Sequence, residues 1–468
     1  VRVAGLALGA ALFLAAGCAL RGEGHAREVA AEALAAPPPR IDPRELLPLV
    51  ASGVSGPPAP LALRDALALA VETSEAIRAA GEEIHEAYLL RVQAAAGLLP
   101  AAKFHWTYFR QEDQIDAGGS TPGGGAARIS PPETRTARFG LTQPLVNVGS
   151  WLALAQAASV IDVAEARLRA ARLFVEQTTA AIFYQALDAE KRVETFRAAL
   201  ERDEQRLREV RGRAAAGLAR RTEVLFVETD RARTAASLAE SQERLAAARE
   251  RLEFLVGRKI LGPLVESAAP PAASPDALLA RPLEEHIERA IALRPDLRAL
   301  REEVSVEDGA LRVAIGGYIP TLEASANYYV HREGFLGEVD WDVTVDLVAP
   351  IFEGLLTTAR VRDAESRKRR AALLYRDEAR AIARDVAASW RDLRAVAAAR
   401  SARSDALRAA EENFRLLEAE YRTGLATNLE LVAAQQELTE ARLAFETQRL
   451  DERRLAIELA FLTGGIED

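Results

Sequence analysis

The chain has one cysteine, Cys18, no methionine and only five histidines among 468 residues. A lone cysteine excludes an internal disulfide and any paired-cysteine redox or zinc motif. No two histidines stand at metal-ligand spacing, and no glycine-rich phosphate loop leads into a lysine. Nothing in the sequence therefore organises a catalytic centre, a metal site or a cofactor site. Aromatic residues make up only 6% of the chain. Beyond the first twenty residues no run of eighteen apolar residues occurs, so no membrane-spanning helix is expected. Excess positive charge is missing too: the formal net charge is −9, which argues against nucleic acid as a partner. Proline is absent from 148–213 and from 355–423. What fills these stretches is Ala, Leu, Arg and Glu, a composition that favours long helices.

The first residues read as an export signal. Arg2 precedes an apolar segment, Leu6 to Ala16, that is too short to span a bilayer as a helix. It ends in Leu14-Ala15-Ala16-Gly17-Cys18, which resembles a bacterial lipoprotein cleavage box, with Ala15 where leucine is usual. The resemblance implies a signal peptide over 1–17 and lipidation of Cys18. Ala19, rather than an acidic residue, follows the cysteine; by similarity to sorted lipoproteins this favours the outer membrane. Residues 18–60 are rich in Ala, Pro and Gly and read as a tether.

The remainder is written twice. Gly217-Leu218-Ala219 recurs as Gly424-Leu425-Ala426, and each copy is followed forty residues later by a glycine, Gly257 and Gly464. Pro144-Leu145-Val146-Asn147 corresponds to Pro350-Ile351-Phe352-Glu353, and Leu99-Pro100 to Ile319-Pro320. The repeats are expected at 61–261 and 282–468, joined by a Pro/Ala linker at 262–281. Each begins with a helical pattern, Leu63 to Leu99 and Leu283 to Tyr318, stopped by Pro100 or Pro320. The period then changes to two. Phe104, Trp106 and Tyr108 alternate with polar neighbours, as do Ala137, Phe139 and Leu141; Leu322 to Val330 and Trp341 to Leu347 repeat the pattern. These are four strands of about ten residues, each with one apolar face. A helix of 65 to 70 residues is expected next in each repeat, about 100 Å long. The Gly-Leu-Ala turn follows, and then a returning helix with heptad leucines.

Tilted strands of nine to eleven residues match a bilayer's apolar layer. Strands span lipid only as a closed barrel, and four are too few to close one. Several chains must therefore pool their strands. Trp106, Tyr108, Tyr328 and Trp341 are candidates for interfacial aromatic belts. Glu323, Asp342 and Asp346 lie on the polar strand faces, which look inward in a barrel, and predict a cation-favouring lumen.

From residue 18 to 468 the pattern resembles the TolC-like outer-membrane efflux factors of the lipidated kind. It runs twice through helix, Pro, hairpin, Pro-Leu-Phe-like turn, long helix, Gly-Leu-Ala turn and returning helix. The first such turn lacks the usual Phe. The resemblance implies a mainly α fold with a pair of membrane β-hairpins. Three chains would share a 12-stranded β-barrel above a periplasmic α-barrel of long antiparallel helical hairpins. It implies an outer-membrane exit duct of a tripartite efflux system, with a periplasmic adaptor and an inner-membrane pump as partners and no cofactor. By the same resemblance, Gly217, Leu218, Ala219 and Thr222, with Gly424, Leu425, Ala426 and Thr427, form tips that dock the adaptor. Glu430, and Glu223 in the first copy, correspond to acidic residues that narrow the periplasmic aperture. The competing reading is a periplasmic coiled-coil adaptor or structural protein, which leaves the two amphipathic hairpins unexplained.

Overall fold

The computed structural model describes residues 59–112, 115–116, 128–130, 133–266, 274–333 and 337–465. The expected signal peptide, Cys18 and nearly all of the tether lie outside these residues. The chain divides into two compact units. Among the described residues, one holds those from 81 to 166 and from 299 to 376; the other holds those from 59 to 80, from 167 to 298 and from 377 to 465.

The first unit contains a four-stranded antiparallel sheet. Its strands are β2 (Ala101–Arg110), β5 (Glu133–Val146), β7 (Thr321–Arg332) and β8 (Trp341–Val348), in the order β2-β5-β7-β8; the short strands β3 (Ile115–Asp116) and β4 (Arg128–Ser130) pair with each other as a separate ladder. All four strands stand where the alternation of the sequence puts them. β5 is longer than expected: it runs through Pro144 to Val146, with a bulge against β7 at that point. A proline lacks the N–H that a regular ladder needs, and a bulge tolerates it. Asn147 then accepts a 3.0 Å hydrogen bond from the Ser150 N–H and opens helix α3 (Val148–Ala215). The second copy differs. β8 stops at Val348, and Pro350 begins a separate turn in which Gly354 and Leu355 have φ of 60° and 68°.

Below the sheet, the helices of this unit follow the strands in order. A side chain at Gly97, just past α2 (Glu75–Ala96), would meet Ser150 at the start of α3. Gln156 of α3 donates to the Val306 carbonyl of α7 (Pro295–Gly316) at 3.2 Å. There a Cβ on Gly309 would fall 2.8 Å from the Gln156 side chain, so glycine is what lets the two helices approach. Asp308 of α7 pairs with Lys368 of α8 (Leu356–Ala398) at 2.6 Å, which holds the Asp308 carboxyl below its ordinary range.

The second unit is helical around a packed core. A parallel contact of two residues each, β1 (Leu61–Ala62) on β6 (Leu264–Val265), ties the chain's entry to the linker. Beside it, α1 (Leu63–Thr73), α3, α4 (Arg221–Val256) and α10 (Asn428–Leu462) bury Leu61, Ala66, Phe183, Leu187, Leu252, Val256, Leu450, Ile457 and Phe461. Of the expected heptad positions, Leu252, Leu450 and Ile457 are core, while Leu238, Leu245 and Leu443 are half-buried. Burial also pushes the Tyr184 hydroxyl up to about 12, with Glu266 adding to the rise.

Three expected helices are interrupted. The first breaks at Ser74, whose hydroxyl caps the Ile77 N–H of α2. The second breaks at Arg294, between α6 (Leu283–Leu293) and α7, because Pro295 disfavours helical backbone in the residue before it. The rod expected from Leu355 to Thr423 is α8 plus α9 (Arg400–Thr423), with one irregular residue, Ala399. The linker carries β6 and a short helix, α5 (Pro275–Leu279). Among the described residues no helix is long and apolar enough to cross a membrane, and no three His, Cys, Asp or Glu side chains gather as metal ligands do.

Candidate functional site

Two places bring together the residues singled out by sequence: the faces of the sheet and the turns at the ends of the helical hairpins.

Pairing register sorts the sheet into two faces. Phe104, Phe139, Tyr328 and Trp341 are direct cross-strand partners and form one row across all four strands. Leu141, Ala326 and Val343 form the next row, and Leu322 faces Leu347 further along. This face is open: Trp341 is 67% exposed, Val343 60% and Leu347 70%. The opposite face carries Lys103, Asn327 and Asp342 in one row and Glu323 opposite Asp346 in another. Asp342 is engaged, accepting 2.8 Å hydrogen bonds from Asn327 and from the Tyr329 hydroxyl, with Arg332 at 4.0 Å. Its charge is therefore partly answered, while Glu323 and Asp346 are like-charged cross-strand neighbours. Among the described residues, β2 pairs only with β5 and β8 only with β7, so each leaves an edge unpaired.

The two Gly-Leu-Ala turns share one backbone design. Gly217 and Gly424 have φ of 74° and 83°. The N–H of the glycine bonds three residues back, to Ala214 or Tyr421, and the N–H of the leucine bonds five back, to Arg213 or Glu420. This is a left-handed glycine cap that satisfies the last carbonyls of a helix. Leu218 and Leu425 are left 79% and 82% exposed. Ala219 instead packs with Val224 on Leu207, Val210 and Val227.

The turns then diverge. After the second, Thr427 caps α10: its hydroxyl accepts from the Glu430 N–H at 3.3 Å, and the Glu430 carboxylate accepts from the Thr427 N–H at 2.7 Å. That contact holds the Glu430 carboxyl below its ordinary range. After the first turn only half of this box exists. Glu223 accepts from the Arg220 N–H at 3.3 Å, because arginine has no oxygen to return the bond. Both glutamates thus hold helix N-termini. Thr222 is exposed one position past the start of α4.

Behind the turns lies a feature that sequence reasoning missed. Gln435 of α10 donates to Asp203 of α3 at 2.5 Å and accepts from Arg206 of α3 at 2.8 Å. Its neighbour Gln436 donates to Asp230 of α4 at 2.6 Å. Asp203, Arg206, Asp230 and Gln435 are all buried. Desolvation pushes the Asp203 carboxyl up and the Arg206 guanidinium down. Closer to the turn, Arg213 lies 4.9 Å over the ring of Tyr421, and Asn428 is buried with neither side-chain polar atom bonded among the described residues. On the sequence these residues look like ordinary helix-surface polar groups.

Residues 286–465 match the family model of the outer membrane efflux protein. The CmeC outer membrane channel of Campylobacter jejuni aligns with a TM-score of 0.72 at 15% identity, over 86% of this chain and 85% of CmeC. The outer membrane protein VceC of Vibrio cholerae gives 0.71 at 20% identity, over 86% of this chain and 96% of VceC. The MtrE outer membrane channel of Neisseria gonorrhoeae, in its open state, gives 0.69 at 20%, over 86% and 89%. No curated protein matches the sequence. The fold is that of the TolC-like outer-membrane channels. Within that TolC-like frame the expected tip residues fall at the helical turns, and Glu323, Asp342 and Asp346 share the polar side of the sheet. Cys18 lies outside the described residues.

Proposed function

We propose that this chain is the outer-membrane exit duct of an efflux system. Three copies pool their four-stranded sheets into a 12-stranded barrel, and their helical hairpins continue the channel into the periplasm. The observation that carries this reading is the sheet. Across the middle of the sheet one face is aromatic and aliphatic, with Phe104, Phe139, Tyr328, Trp341, Val343 and Leu347 each more than half exposed; among the described residues both outer edges are unpaired, and the four strands alternate in direction. Lipid is the environment in which such a face is stable, and closure is the only state in which such edges are satisfied there. Because the strands alternate, β8 of one copy meets β2 of the next antiparallel, and every joint is equivalent. A periplasmic coiled-coil protein would have no use for this surface.

In this reading Cys18 carries the lipid anchor. Leu218 and Leu425 are the apolar contacts that a periplasmic adaptor covers, with Gly217, Ala219, Thr222, Gly424, Ala426 and Thr427 shaping the turn, and an inner-membrane pump lies beyond the adaptor. Glu430 and Glu223 combine helix capping with a place at the periplasmic aperture. Glu323, Asp342 and Asp346 give the lumen its cation preference.

The test uses the full chain expressed in a Gram-negative host. It is expected to fractionate with the outer membrane, to run as a trimer in mild detergent and to conduct ions in planar bilayers, with a reversal potential favouring cations. A soluble monomer without conductance would overturn the reading in favour of the periplasmic one. Anion preference would remove the lumen assignment alone.

A further inference from the structure

In the sheet-bearing unit the helices keep the order of the strands, α2-α3-α7-α8, so α2 and α8 are the two flanks, as β2 and β8 are the two edges. The flanks are opposite in charge. Between residues 81 and 96, α2 carries Glu82, Glu83 and Glu86 against Arg91; between 356 and 376, α8 carries six arginines and Lys368 against Asp363 and Glu365. Each flank also has an exposed stripe at helix-seam spacing. On α2 it is Glu82, Glu86, Leu89 and Gln93; on α8 it is Arg362, Ser366, Arg369 and Leu373, with Arg370 beside it. Residues at i, i+4, i+7 and i+11 lie along one side of a helix. A charged stripe on a single helix is ordinarily a solvated surface. Two complementary stripes on the two outer flanks of one layer are a matched pair of edges.

The stripes also match in depth. Glu82 lies 14 residues before the end of α2 at Ala96, and Arg370 lies 14 residues after the start of α8 at Leu356. At 1.5 Å per residue both stand about 20 Å from the sheet-side ends of their helices. Glu86 lies within about one turn of the level of Arg369. α2 runs toward the sheet and α8 away from it, so the two would pack antiparallel.

From this we infer that α2 of one copy packs against residues 356–376 of α8 in the next copy, with Glu82 opposite Arg370 and Glu86 within reach of Arg369. The occupant of each flank is a second copy of this chain. The charges forbid the alternative joints, since α2 against α2 would be acidic on acidic and α8 against α8 basic on basic. This rests on the pooling of sheets proposed above and adds what selects the joint.

The experiment uses the full chain in outer-membrane extracts. Glu82→Arg together with Glu86→Arg is expected to cut the detergent-stable oligomer at least tenfold, as is Arg369→Glu together with Arg370→Glu. Joining all four changes in one chain is expected to restore the oligomer to within twofold. In parallel, a chain with Glu82→Cys is co-expressed with a chain carrying Arg370→Cys. Oxidation is expected to give a disulfide-linked dimer only when both are present, which reads the contact without depending on the charge-reversed variants folding. A wild-type oligomer that persists with no cross-link and no rescue overturns the inference while leaving the pooled barrel standing. A wild-type chain that is monomeric overturns the pooled barrel, and this inference with it.

Discussion

The sheet and the helical core use the same apolar residue types in opposite ways. In the helical unit Phe183, Leu252, Ile457 and Phe461 are almost wholly buried against one another. In the sheet, Phe139, Val343, Val345 and Leu347 share one face and are each more than half exposed. The helical unit supplies its own apolar solvent; the sheet requires one from outside. Stability in the two regions should therefore answer to different surroundings, and the difference can be measured.

The largest effect is expected in the core. Phe183→Ala should destabilise the helical unit by about 3–5 kcal/mol, read as a lower denaturation midpoint in detergent and in membranes alike. Val343→Arg should cost about 2–4 kcal/mol in a bilayer, where the arginine faces lipid. In detergent it should cost little, so membrane assembly fails while the solubilised chain stays folded. Equal effects of Val343→Arg in both media would erase the distinction between the regions.

At the turns, Thr427→Ala should cost about 1 kcal/mol by removing a complete cap. Thr222→Ala, which breaks no cap, should cost at most a few tenths of that. Equal costs would mean that the two turns are equivalent after all. A smaller effect is expected at Asp203. Its carboxyl is raised by burial, so the folded state binds a proton more readily than the unfolded chain. Stability then increases as pH falls from neutrality through the raised value, and is lost as pH rises through it. The groups facing Asp203 are Arg206 on its own helix, Thr234 and Asp230 on α4, and Gln435 on α10. Asp203→Asn should flatten that pH dependence and raise the neutral-pH midpoint slightly; a steeper dependence would contradict the assignment.

Much of this contrast was legible in the sequence. The alternation around Phe104, Trp106 and Tyr108 has no reading other than a two-faced strand, and the Gly-Leu-Ala pair marks two helix reversals. Less was legible where one residue acts through a distant one. Ser74 interrupts a helix although its neighbours keep the helical period. The Leu61 and Leu264 contact is too short to leave a pattern. Gln435 joins Asp203 and Arg206, more than 220 residues away, and a single helix does not reveal which of its polar residues face inward. Pro295 was a visible signal; the surrounding apolar period obscured it.

The sheet's two bulges have a consequence of another kind. Opposite Ala137 and Arg138, β7 carries one extra residue, Val330; opposite Leu322 and Glu323, β5 carries Leu145. A bulge bends its strand, and the pairing of edges is indifferent to how many copies follow one another. If copies join like staves of a cask, hydrogen bonding makes each seam and these two bends fix the girth. Removing Val330 would leave every seam intact and alter the bore.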